Sequence, residues 1–171
     1  MSRTLSLNMR QSIYAEVTDD TVACLITMTH PTLDAPIYLS TDPTDRIAVD
    51  PELVYGTVSR GNTYVFLPIS VVLPEDSDGT PPGVTLTMDN ISRDLIPTIR
   101  GLNGQRVRAK VTIEVIRVAD PDTVEFSLPS FDLVSAQYDA LQVTVTLGID
   151  ALATEQYPAG LFLPSGFPAL F

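Results

Sequence analysis

Tryptophan is missing altogether from these 171 residues, and cysteine and histidine occur once each, as Cys24 and His30. A single cysteine closes no internal disulfide, and one cysteine with one histidine offers no zinc-ligand spacing. A serine triad needs a histidine base, so His30 is the sole candidate, and its place before Pro31 at the end of a strand-like run marks a turn histidine. Cys24 stands mid-strand between Ala23 and Leu25, where a thiol behaves as a small apolar side chain of raised pKa. Basic charge is scarce as well, with 10 Lys and Arg against 21 Asp and Glu and a net charge of −11. Such a surface repels phosphates at long range, which argues against a free nucleic-acid binder and would suit a conduit that DNA must not stick to. No apolar run approaches the roughly 18 residues of a membrane span. The first ten residues lack the apolar core of a secretory signal. The expectation is a soluble chain made in a cytoplasm.

What remains is apolar and β-forming. Hydrophobic residues make up 44% of the chain and charged ones 18%, far from the low hydrophobicity and high charge of disordered chains. A chain of this length fits one domain and buries about 70% of the surface that its unfolded form exposes, so a core needs no covalent staples.

Leu5, Met9, Ile13 and Val17 recur every four residues and predict an amphipathic helix over residues 3–17, covering one face or end of a sheet. Val22, Cys24, Ile26 and Met28 then alternate with Ala23, Leu25 and Thr27, which predicts a strand buried chiefly on one face and ended by His30-Pro31. Short strands are expected over 36–40 and 46–50, around the turn Thr41-Asp42-Pro43-Thr44-Asp45. Residues 54–59 and 62–67 flank Arg60-Gly61-Asn62, a hairpin signal in which Gly61 and Asn62 can take positive φ. A strand over 64–73, an acidic hinge over 74–83 and a strand over 84–90 follow. Asp94 can cap a short helix carrying Leu95, Ile99 and Leu102, with Pro97 in its first turn and Gly101 and Gly104 closing it. Val107, Ala109, Val111, Ile113 and Val115 alternate with Arg106, Arg108, Lys110, Thr112 and Glu114 in the clearest strand of the chain. Asp120-Pro121-Asp122 turns it, Val124, Phe126 and Leu128 begin another, and residues 131–136 pair with 141–148 across Gln137-Tyr138-Asp139-Ala140. Many short strands at regular spacing predict a mainly β fold, an antiparallel β-sandwich or barrel with one N-terminal helix and one short internal helix.

Residues 156–171 carry no charge at all. Tyr157, Leu161, Phe162, Phe167 and Phe171 alternate there with Pro158, Gly160, Pro164, Gly166 and Pro168. An apolar arm stiffened by proline either packs on its own domain or docks on a neighbouring subunit, so the chain divides into a domain over 1–155 and an arm over 156–171. Asp76-Ser77-Asp78-Gly79 opens like a calcium loop, but Pro81-Pro82 intervenes before the later ligands, leaving Glu75, Asp76 and Asp78 as a solvated loop able to meet a neighbour. Arg100, Arg106, Arg108 and Lys110 form the densest basic cluster; without interleaved aromatic side chains it reads as an exposed strand face. Gly101-Leu102-Asn103-Gly104 lacks the Lys-Ser/Thr that completes a phosphate loop. These residues predict contact surfaces, with no catalytic site, cofactor or metal.

Thr29-His30-Pro31, Phe66-Leu67-Pro68-Ile69, Gly83-Val84-Thr85-Leu86-Thr87-Met88-Asp89-Asn90-Ile91, Asp94-Leu95-Ile96 and Tyr157-Pro158-Ala159-Gly160-Leu161-Phe162 follow one another in this order. That order resembles a family of tailed-bacteriophage tail-assembly proteins, carried as a domain of unknown function in long-tailed phages. The resemblance implies a minor tail protein at the distal end of the virion tail, with a sandwich like that of tube proteins, assembled in the host cytoplasm. It implies a hexameric ring whose partners are the tail tube and the hub or baseplate proteins, with neither sequence-specific nucleic-acid binding nor membrane insertion. A tail terminator or head-tail connector ring is the alternative within that class, because such rings share the sandwich. A carbohydrate- or receptor-binding sandwich is a further alternative, for which exposed Trp or Tyr platforms are expected. A hydrolase would need acid pairs such as Asp120 with Asp122 or Asp76 with Asp78, which stand in turn sequences.

Overall fold

The computed structural model describes residues 5–50, 52–72, 83–89, 101, 107–139 and 142–149. Helix α1 (Leu7–Tyr14) begins at Ser6, whose hydroxyl accepts from the Met9 amide at 3.1 Å and satisfies one orphan donor of the first turn. It is shorter than the 3–17 expected and buries none of its residues, because Ala15 turns to extended backbone before Val17 is reached. Leu7, Ile13, Tyr14 and Val17 are all exposed, so their spacing does not lay an apolar stripe on the sheet.

Eleven strands follow among the described residues: β1 (Val22–Thr29), β2 (Ile37–Ser40), β3 (Asp45–Ala48), β4 (Val54–Ser59), β5 (Asn62–Phe66), β6 (Ile69–Val72), β7 (Gly83–Asp89), β8 (Lys110–Arg117), β9 (Asp120–Ser127), β10 (Phe131–Tyr138) and β11 (Gln142–Gly148). They make one mainly β, curled half-barrel sheet in the order β3-β4-β5-β2-β1-β8-β10-β11-β7-β6, with β9 beside β8. Strand β8 forks: Lys110 and Val111 pair with Asp132 and Phe131 of β10, whereas Glu114 to Arg117 pair with β9. One face of β1, β2 and β8 thereby packs on β7, β10 and β11. Ile26, Met28, Leu39, Val111, Ile113, Val84, Leu86, Phe131, Leu133, Val145 and Leu147 form that main core. Each such side chain removed from water contributes roughly 1.5–3 kcal/mol.

Several details depart from expectation. Strand β1 is buried on both faces, since Ala23 and Leu25 enter a second cluster with Tyr64 and Ile116 on the side opposite Ile26 and Met28. The sheet is not wholly antiparallel: β2 and β5 run parallel, with Leu39 opposite Val65. The strand expected over 64–73 is broken, because Pro68 has no amide hydrogen to continue a ladder. At the break the Leu67 amide donates to the Ser40 carbonyl at 3.0 Å and the Pro68 carbonyl accepts from the Asp89 amide at 3.4 Å, so the chain steps from β5 to the opposite margin at β6. The β4–β5 hairpin turns on Arg60 and Gly61, with φ of 50° and 77°; Asn62 belongs to β5 and opposes Ser59. Asp120, Pro121 and Asp122 lie inside β9, and the turn falls one pair earlier, between Arg117 and Asp120. The short helix expected after Asp94 lies outside the described residues except for Gly101.

Candidate interaction surface

Alternation along β1 and β8 gives the sheet two faces of different chemistry. On the face opposite the main core, Ala23, Leu25 and Thr27 of β1 stand beside Ile116, Glu114 and Thr112 of β8, pair for pair. Tyr38 opposes Thr27 and Ser40 opposes Leu25 across the β1–β2 ladder. Tyr64 and Asn62 on β5 face Thr57 and Ser59 on β4. The curl turns this face inward, and its rim is tied by Ser59 Oγ donating to the Pro121 carbonyl at 2.7 Å and by the Arg60 amide donating to Asp122 Oδ1 at 2.6 Å. At one end the face is apolar, closed by Ala23, Leu25, Tyr64 and Ile116. At the other it opens as a cavity of about 370 Å³ lined by Thr27, Tyr38, Arg60, Asn62, Tyr64, Thr112 and Glu114.

Arg60 closes one side of this opening with a bidentate ion pair to Glu114, and that hydrogen bonding, set against a smaller desolvation effect, raises the guanidinium above its ordinary pKa. The Tyr38 and Tyr64 rings meet edge to face with centroids 5.1 Å apart. Behind them a buried network holds β2 to β4: the Ser40 and Thr57 hydroxyls lie 2.9 Å apart, and Asp42 accepts from Thr57 Oγ1 at 3.3 Å and from the Thr44 hydroxyl at 2.6 Å.

A second polar cluster ties the N-terminal segment to β9. Glu125 Oε1 accepts from the Ser6 hydroxyl at 2.7 Å and from Arg117 Nε at 3.3 Å, and Oε2 accepts from the Ser6 amide at 2.9 Å. Arg117 also pairs with Asp20 at 3.3 Å. Burial alone would raise the Glu125 carboxyl, but the Ser6 donors and the Arg117 guanidinium hold it below its ordinary value. Helix α1 is thus latched at its cap while Leu7, Ile13 and Tyr14 stay uncovered.

Tyr157, Leu161, Phe162, Phe167, Phe171, Glu75, Asp76, Asp78 and Arg106 lie outside the described residues. Arg108 and Lys110 are exposed, and Lys110 pairs with Asp132 at 3.1 Å, balancing part of that basic cluster on its own sheet. His30 is buried: its Nε2 lies 3.0 Å from the Val107 carbonyl, which can only accept, so Nε2 carries the proton and Nδ1 accepts from the Thr32 amide at 3.2 Å. Nε2 thereby joins the end of β1 to the segment before β8, while Nδ1 is spent locally on Thr32. Burial pushes the Cys24 thiol up, against the main core. Among the described residues no three His, Cys, Asp or Glu side chains gather as metal ligands would, and no helix is long and apolar enough to cross a membrane. Neither the Arg60–Glu114 pair nor the Ser6–Glu125 latch was legible beforehand; their members are 54 and 119 residues apart, and only the strand alternation hinted that Glu114 faces away from the core.

Among curated proteins nothing matches this chain. Among solved structures, a chain from the virion of a native gene transfer agent particle shares the fold with a TM-score of 0.58 at 15% identity, covering 93% of this chain and 50% of that one. The present chain therefore spans about half the length of that virion chain. The model of DUF1833, a domain of unknown function, matches residues 8–162, which takes in α1 from its second residue and every strand from β1 to β11. With nearly its whole length so matched, the chain belongs to the DUF1833 family.

Proposed function

We propose that this protein is a structural subunit of a phage-like particle, working by shape and contact rather than by turnover. The observation that carries this reading is the fold shared over 93% of the chain with a chain of a gene transfer agent virion. Within such a particle its place is the distal end of the tail, as one member of a ring between tube and hub. The uncovered apolar side chains of α1 support a contact role, since Leu7 is 70% and Tyr14 86% exposed. The acidic loop with Glu75, Asp76 and Asp78, the basic Arg106, Arg108 and Lys110, and the arm carrying Tyr157, Leu161, Phe162, Phe167 and Phe171 are the further contact segments of this proposal.

Mass photometry of the purified chain, alone and mixed with the tail tube and hub proteins of the same particle, tests the reading. Closed oligomers that bind both are expected. A chain that stays monomeric and binds neither overturns it, and oligomers that bind only head-side proteins move the ring to a terminator or connector position.

A further inference from the structure

We propose that the open end of the half-barrel face is a binding site for a neutral saccharide ring. This goes beyond the assembly role and does not depend on it. The cavity of about 370 Å³ lies in the mouth of a curled sheet, within the range of about 300–1,000 Å³ typical of small-molecule sites and near its lower end, which suits one ring rather than a long chain.

Its lining presents donors and acceptors in alternation, which is what a polyol demands because each sugar hydroxyl both gives and accepts. The Thr27 and Thr112 hydroxyls sit on paired positions of adjacent strands. The Thr27 and Tyr64 hydroxyls are 3.5 Å apart, at the outer limit of a hydrogen bond, so the half-buried Thr27 hydroxyl retains capacity for a ligand while buried Tyr64 forms the floor. Asn62 offers an amide with both a donor and an acceptor end. Arg60 and Glu114 cancel each other's charge while keeping outward lone pairs and N–H groups, with 38% and 18% of their side chains exposed. That balance favours an uncharged ligand, and the acidic chain at −11 disfavours an anionic one. Tyr38 supplies a partly exposed aromatic wall, fixed by its edge-to-face contact with Tyr64, for the C–H face of a sugar.

The test is a titration of the ¹⁵N-labelled full-length chain with methyl glucoside, methyl galactoside, methyl N-acetylglucosaminide and the charged methyl glucuronide, followed by amide shifts. The expected result is saturable shifts at Thr27, Asn62, Thr112 and Glu114 with a Kd on the order of 1 mM for at least one neutral glycoside, and weaker binding of the glucuronide. Glu114→Gln is expected to weaken binding about tenfold, because hydrogen bonds to a charged group are the stronger ones. Thr112→Val, which keeps the shape and removes one hydroxyl, is expected to weaken it by a smaller factor; should Glu114→Gln fail to fold by circular dichroism, Thr112→Val carries the test. No shift with any neutral glycoside at about 50 mM overturns the proposal. Shifts that folded variants leave unchanged, or that spread over β7 and β11, overturn it equally. Oligomers of these variants are expected to match those of the wild type, so failure here leaves the assembly reading standing.

Discussion

Glu125 is almost fully buried and still ionised, held by donors from Ser6 and from Arg117 on the neighbouring strand. Its folded-state pKa lies below the unfolded one, so the stabilisation it contributes is present above the ordinary glutamate range and is lost as pH falls through the lowered folded value. Urea midpoints of the wild type are therefore expected to drop on acidification below about pH 4.5, the unshifted value. Glu125→Gln is expected to cost about 2 kcal/mol at neutral pH and to flatten that acid limb; an unchanged limb would remove Glu125 as its cause. Gly56 makes a different demand. A Cβ there would run into the Tyr64 carbonyl and come within 2.7 Å of Ile47 Cδ1, so backbone must shift. Gly56→Ala is expected to destabilise by more than about 2 kcal/mol, read as a lowered urea midpoint, because it forces apart β3, β4 and β5 where all three meet.

Helix α1 is an element whose local signals are sound and whose apolar side chains stay exposed. Replacing Ile13 with Asn and Tyr14 with Ser is expected to leave stability within about 0.5 kcal/mol, as for exposed sites elsewhere. The same pair is expected to reduce oligomers in mass photometry; oligomers at wild-type level would exclude α1 from the contact. Four-residue spacing of Leu5, Met9, Ile13 and Val17 foretold a helix correctly but not its free surface, since periodicity reports what a helix could bury and not whether a surface is there to receive it. The β4–β5 and β10–β11 pairings were legible because alternation is local, encoded within a dozen residues, but Gln137 and Tyr138, expected in the second turn, belong to β10 and oppose Thr144 and Val143. The Pro68 break was hidden inside a largely apolar, strand-like run, although proline's missing donor could have marked it. The parallel β2–β5 pairing depends on which strands meet across the molecule, which no local pattern carries.

At the scale of the molecule, β1 and β8 serve both hydrophobic clusters, one on each face. Neither half can lose its packing without the other, so a single cooperative transition is expected. Near-UV dichroism from the tyrosines, Tyr38 and Tyr64 of the half-barrel among them, should share its urea midpoint with far-UV strand signal; separated midpoints would show that the two clusters melt independently. The sheet's terminal strands also differ from its centre. β3 and β6 have four residues each, and β3 slips register between Arg46 and Ala48, whereas β1 and β8 have eight. Margins so brief and uneven offer a poor template for stacking further strands. Open-ended growth by edge-to-edge addition of strands from a second copy is thereby discouraged.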